Sequence, residues 1–394
     1  MAVGPNQEQR CFVGRTLTTT MHERILNVAD PRAGYLVLKG EIDAAISDVL
    51  NGPSYILGPI VERFEAEMAA YVGVSHGIGV NNGTDAIHLA LRGLGIGQGD
   101  EVITVSHTAV ATVAGVRMAG AEPVLVDVDP STYTISVDAA RRSITSRTKA
   151  VLAVHLYGHP ADVERLAALC EEKGIHLVED CAQAQGATCS GRMVGSFGVV
   201  STFSFYPTKN LGAIGDAGMV LTKDEQLARR IRLLRQYGWE TPQHSLIEGW
   251  NSRMDPLQAA ILSVKLRHLP AQIERRRALA AKYTQALAGL PLTLPVELPN
   301  CRHAYHLFVI RVADVGTREG LREHLRDIGV NAGIHYPFPV HLQQAYSGAL
   351  RVGSMEVTEA AAGTVLSLPL YPEMADADVD RVCSGVVAYF AQRP

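Results

Sequence analysis

One lysine stands out by its setting. Lys209 lies in Ser201-Thr-Phe-Ser204-Phe-Tyr-Pro-Thr-Lys209-Asn-Leu-Gly212-Ala-Ile-Gly215, a glycine-rich loop between two apolar runs. Solvated lysines are rarely set among Phe, Tyr, Leu and Ile. Partial desolvation lowers an amine's pKa and makes it a nucleophile able to form a Schiff base with a carbonyl. The plainer alternative is a lysine snorkelling from a loop tip. Upstream, Asp180 follows the apolar run His176–Val178 and so falls at the carboxyl end of a strand, where open α/β sheets build their crevices. A carboxylate there could hold a protonated ring nitrogen, with Gln183 three residues on as a second ring partner; it could also merely cap the next turn.

Two further stretches could handle an anion. Val80-Asn-Asn-Gly83-Thr84-Asp85 precedes a segment with one apolar face (Ile87, Ala90, Leu91, Leu94), which places Gly83-Thr84 at a helix N-terminus. Free N–H groups and the helix dipole favour phosphate there, although a plain N-cap has the same sequence. Ser204, on the strand entering the lysine loop, could meet a phosphate oxygen. Gly249-Trp-Asn251-Ser-Arg253-Met-Asp255-Pro256 opens a helix and could complete the anion site or be only a structural turn. Together these motifs supply a phosphate seat, a partner for a pyridinium, a partner for a ring oxygen and a nucleophilic amine.

These residues need a frame to hold them. The chain has 394 residues, enough for a large domain and a smaller one. Short runs rich in Val, Ile and Leu (Glu101–Val105, Val124–Val128, Val151–His155, His176–Glu179, Val199–Phe205, Gly218–Thr222) read as buried strands. They alternate with helical stretches such as Pro59–Tyr71 and Ala161–Lys173. That alternation predicts an α/β fold with a mostly parallel central sheet. The expected organisation is a loose extension over 1–20, a segment 21–51 joining the small domain, a large domain over 52–270 and a small α+β domain over 271–394. In the small domain Tyr305–Val312 and Asn331–His335 read as strands, Glu319–Ile328 and Asp376–Gln392 as helices. The charged stretch Ala271–Leu290 reads as a helix separate from Leu257–Leu266.

Charge and composition exclude several partners. A net charge of -4 argues against nucleic acid, and no apolar run is long enough for a bilayer. Six scattered cysteines, none spaced as CxxC, fit reduced cytoplasmic thiols better than disulfides or zinc. His303 with His306, or His335 with His341, makes no recognisable metal set, so no metal is expected. The glycines of Gly93–Gly99 follow a helix and precede a strand, the reverse of a dinucleotide fingerprint.

As a set, Gly-Thr-Asp-Ala, Glu-Asp-Cys-Ala-Gln-Ala, Ser-Phe-Tyr-Pro-Thr-Lys-Asn-Leu-Gly and Gly-x-Asn-x-Arg-Met resemble the DegT/DnrJ/EryC1/StrS sugar aminotransferases, from about Tyr35 to the C-terminus. The resemblance implies a fold-type-I architecture and pyridoxal 5'-phosphate (PLP) held as a Schiff base on Lys209. It pairs Asp180 with the pyridine nitrogen and Gln183 with the ring hydroxyl. Gly83, Thr84 and Ser204 would hold the phosphate, with Asn251 contributed by the partner in a homodimer with shared sites. Arg253, Tyr305, His335 and Tyr336 would border the substrate. The implied reaction moves an amino group from L-glutamate or L-glutamine to a keto sugar carried on a nucleotide. A cyclitol or other non-nucleotide ketone is an alternative acceptor, and a non-catalytic PLP- or sugar-binding regulator is an alternative of another class. Related dehydratases have His at the lysine position, which Lys209 argues against. One departure is that many members carry an aromatic residue, stacked on the pyridine ring, where this chain has Ala109. His107 is the candidate to stack instead.

Overall fold

A computed structural model describes residues 25–392. The N-terminal extension expected over 1–20 lies outside the described residues.

The centre is an eight-stranded sheet. In chain order its strands are β1 (His76–Val80), β2 (Glu101–Val105), β3 (Glu122–Val126), β4 (Thr148–Val154), β5 (His176–Asp180), β6 (Val200–Ser204), β7 (Gly218–Thr222) and β8 (Arg351–Val352). Their spatial order is β1-β7-β6-β5-β4-β2-β3-β8, and only β7 runs antiparallel to its neighbours. Strands β2, β4, β6 and β7 are buried almost throughout, which explains why they read as continuous apolar runs rather than alternating ones. Helices cover both faces. Among them are α1 (Lys39–Leu50), α2 (Pro59–Val72), α3 (Gly83–Gly93), α4 (Val110–Met118), α5 (Val163–Lys173), α6 (Glu225–Leu234) and α7 (Pro256–Leu287).

α7 departs from expectation. The sequence suggests two helices, Leu257–Leu266 and Ala271–Leu290, and Pro270 between them removes a hydrogen bond and crowds the preceding turn. The helix instead runs unbroken for 32 residues through Pro270. Its buried positions continue in step across the proline, with Leu266 and Leu269 before it and Ile273 and Arg276 after it. Packing on both sides outweighs the local penalty. The first half of α7 (Ala259, Leu262, Leu269, Ile273) belongs to a core shared with α2 and β7. The second half (Leu279, Tyr283, Leu287) belongs to a separate core containing Leu26, Phe308, Leu368 and Val386. The change of core therefore falls between Ile273 and Leu279, inside one helix.

In that second core, Phe308–Arg311 pairs antiparallel with Val365–Leu368 beneath α8 (Val315–Asp327) and α9 (Asp376–Ala391). The strand expected over Asn331–His335 is not formed. Only Gly333 bridges to Ser367, because the chain turns away there to carry His335 and Tyr336 toward the large domain. No helix among the described residues is long and apolar enough to cross a membrane.

Candidate active site

A cleft of about 530 Å³ opens at the carboxyl ends of the strands, and three of the four sequence motifs converge on it. β1 delivers Asn82, whose side chain caps α3 by accepting the Asp85 N–H at 2.8 Å. The N–H groups of Gly83 and Thr84 have no protein acceptor among the described residues, and both residues line the cleft. Gly83 lies directly against β6: a β-carbon there would come within 2.6 Å of Ser204 Cβ. Only glycine lets the helix start and Ser204 share one corner, and an anion in that corner meets unsatisfied donors from both.

Asp180 ends β5 and is 4% exposed. Its carboxylate accepts the Ala182 N–H at 3.1 Å and the Thr112 hydroxyl at 2.9 Å. Burial raises its pKa, opposed by those two donors and by the nearby Lys209. Gln183 is held in one orientation: Oε1 accepts the Tyr157 N–H at 2.8 Å, so Nε2 faces Tyr336, donating to its hydroxyl at 2.9 Å. The second N–H of that amide has no protein acceptor among the described residues.

Lys209 follows β6 through a tight turn, its N–H donating to Tyr206 O at 2.8 Å. Burial brings its amine down to about 8, while Asp180 pulls the other way. A fraction of the amine is then neutral near pH 7, as nucleophilic chemistry on a carbonyl requires.

Gly83, Thr84, Asp180, Gln183, Ser204 and Lys209 thus share one cleft. His335 and Tyr336 adjoin it: burial, helped by the Lys209 charge, holds the His335 imidazole down to about 4, and burial pushes the Tyr336 phenol up to about 12. His107 is elsewhere. Its ring is fully buried behind the wall, Nε2 sits 2.7 Å from the Tyr157 hydroxyl, and Thr108 and Ala109 face the cleft in its place. The expected substitute stack from His107 is therefore corrected, because its ring is spent on the Tyr133–Tyr157 cluster. Three others also stand outside the cleft of this chain. Tyr305 stacks on His303 at 4.0 Å, Arg253 lies over the Tyr237 ring at 5.7 Å, and Asn251 is exposed.

Sequence reasoning passed over Thr112, Asp85, Tyr206 and Asp216, which line the same cleft. Asp85 sat in a motif singled out for its neighbours; Thr112 carried no local signal at all. The cleft fits PLP on three counts: the open donors of the seat, the Gly83–Ser204 contact, and a buried carboxylate lining the same cleft as an amine of lowered pKa.

One buried cluster, His155, Glu179 and Cys181, has donor atoms within 4.8 Å of one another. Its atoms are already engaged. The Glu179 carboxylate accepts N–H groups from Gly195, Phe197 and Gly198 at 2.7–2.8 Å as well as the His155 ring at 3.1 Å. His155 Nδ1 accepts the Ala161 N–H at 2.9 Å. The cluster anchors the segment 195–198 behind β5.

Comparison with known proteins identifies the family. A dTDP-3-amino-3,4,6-trideoxy-alpha-D-glucose transaminase of Streptomyces venezuelae is 48% identical over 91% of this chain and 94% of its own length. The erythromycin biosynthesis sensory transduction protein EryC1 of Saccharopolyspora erythraea is 47% identical over 91% and 98%. The crystal structure of S. venezuelae DesV in complex with a ketimine intermediate superposes with a TM-score of 0.91 at 46% identity, covering 94% of this chain and all of that one. The sequence model of the DegT/DnrJ/EryC1/StrS aminotransferase family matches residues 37–387, and the chain belongs to that family.

Proposed function

We propose that this aminotransferase binds PLP on Lys209 and transfers an amino group from L-glutamate or L-glutamine to the keto carbon of a nucleotide-linked sugar. The observation that carries the reading is the meeting of Lys209, Asp180 and the Gly83–Ser204 seat in a single cleft. When bound, PLP supplies a cationic conjugated ring that takes up the electron pair left behind as a C–H proton departs.

The chain's own residues do the rest. Asp180, charged and steadied by Thr112 and Ala182, holds the ring nitrogen's proton. The N–H groups of Gly83 and Thr84 with the Ser204 hydroxyl fix the phosphate and so the ring's position. Lys209 Nζ would hold the cofactor at rest and, once freed, would act as the general base that takes the proton from the donor's α-carbon and as the acid that gives it back. The same nitrogen serves the reverse half-reaction.

The acceptor class is supported by the relative whose name specifies a dTDP-linked amino sugar. A regulatory role, which the name of EryC1 suggests for that relative, is disfavoured here because Lys209, Asp180, Gln183 and Ser204 are all present and assembled. Assembly as a homodimer rests on the resemblance that gives Asn251 to the partner's site, and Asn251 is exposed and away from this chain's own cleft. The reading is of a cytoplasmic enzyme.

The test is direct. With PLP and L-glutamate, the protein should convert a dTDP- or UDP-linked keto-hexose to an amino sugar, detected by mass spectrometry. Equal turnover of the free keto sugar would move the assignment to a non-nucleotide acceptor.

A further inference from the structure

The first turn of α3 contains an acidic side chain that competes with phosphate for the same ground. Asn82 is the N-cap, so Asp85 occupies the third helical position. An acidic residue there commonly folds back to the N-cap N–H and closes a capping box over the helix terminus. In this protein that closure would bring a carboxylate into the corner of Gly83, Thr84 and Ser204, against a phosphate's charge. The structure has the carboxylate turned the other way. Asp85 Oδ2 accepts the Ser252 hydroxyl at 2.7 Å, although Asp85 still borders the cleft.

Ser252 is built to hold it. The residue is 2% exposed, and its Oγ also accepts the Asn81 N–H at 3.2 Å, so the hydroxyl is fixed from both sides. The segment carrying it is clamped on either flank. The Trp250 ring packs edge-on against His88 of α3 at 4.4 Å, and Met254 closes on β1 so tightly that a β-carbon at Gly79 would lie 3.0 Å from Met254 Cβ.

We propose that Ser252 is a positioning residue that latches Asp85 away from the phosphate seat. The proposal rests on the reading of the cleft as a PLP site. The hydroxyl never meets the cofactor; it acts by keeping a competing charge out.

Equilibrium titration of the cofactor-free protein tests this, with PLP and its phosphate-free analogue pyridoxal as the two probes. Ser252→Ala should weaken PLP about ten-fold while pyridoxal stays within about two-fold. Asp85→Asn added to that chain should restore PLP binding to within about three-fold of wild type, since the competing charge is gone. Ser252→Thr, which keeps the hydroxyl, should bind like wild type. Ser252→Cys, with its weak donor, should show the same selectivity at smaller size, and keeps the test open if the alanine variant does not fold. A double variant as weak as Ser252→Ala, or a parallel loss for both probes, overturns the latch. Wild type that binds pyridoxal as tightly as PLP would instead contradict the phosphate seat itself.

Discussion

Gly83 and Ser204, 121 positions apart in the chain, approach so closely that a β-carbon on Gly83 would sit 2.6 Å from Ser204 Cβ. This contact makes one anion corner out of a helix N-terminus and a strand end. Gly83→Ala must push the two apart, at a cost of about 1–3 kcal/mol for an overpacked contact. PLP should bind roughly ten- to a hundred-fold more weakly, measured by equilibrium titration, while pyridoxal loses much less.

Lys209 gives the cofactor-free protein a characteristic pH dependence. Its folded pKa of about 8 lies below the ordinary 10.5, so the unfolded chain binds the extra proton between those values. Stability therefore rises with pH across that window, and the penalty is fully present below pH 8. Lys209→Met should stabilise the cofactor-free protein at pH 7 by up to about 3 kcal/mol, less where water in the cleft screens the amine. Urea denaturation should show that advantage shrinking toward pH 10. An advantage that is constant with pH would mean the amine is not desolvated.

Thr112 is the only side-chain hydroxyl donating to Asp180 among the described residues, at 2.9 Å. Thr112→Val keeps the shape and removes that donor. The pKa of Asp180, already raised by burial, should rise further, and the carboxylate's hold on a pyridinium should weaken. We expect about a ten-fold fall in PLP affinity and a steeper loss of activity below neutral pH. The pH–rate profile of the variant checks this.

Asn251 tests the shared site. In a two-fold dimer, mixing Lys209→Ala and Asn251→Ala protomers rebuilds one intact site per mixed dimer. Random reassortment should restore about a quarter of wild-type activity. Activity no greater than the average of the two parents would mean that each protomer's site is self-contained.

Much of this was legible in the sequence because the chemistry is local. Most of the motifs end a strand or begin a helix, and short strands with apolar centres (Leu177-Val178 and Phe203) place Asp180 and Ser204 at strand ends without further help. What stayed hidden is contact between distant segments. Thr112 and Asp180 are separated by 68 residues, Gln183 and Tyr336 by 153, and Asp85 and Ser252 by 167. The direction of His107 was unreadable for another reason. β2 is buried on both faces, so no alternation tells which way the residues after it point. The two helices expected over Leu257–Leu266 and Ala271–Leu290 are one, because apolar packing along both halves of α7 carries it through Pro270.

The most direct measurement is the visible absorption of the PLP-loaded protein before and after L-glutamate, for wild type and for Lys209→Ala. Wild type should show the visible band of cofactor joined to Lys209, and L-glutamate should convert it to the aminated form with release of one 2-oxoglutarate per site. The variant should lack the initial band and release no 2-oxoglutarate within the same time. Conversion by Lys209→Ala at a rate within a few-fold of wild type would contradict the role given to Lys209.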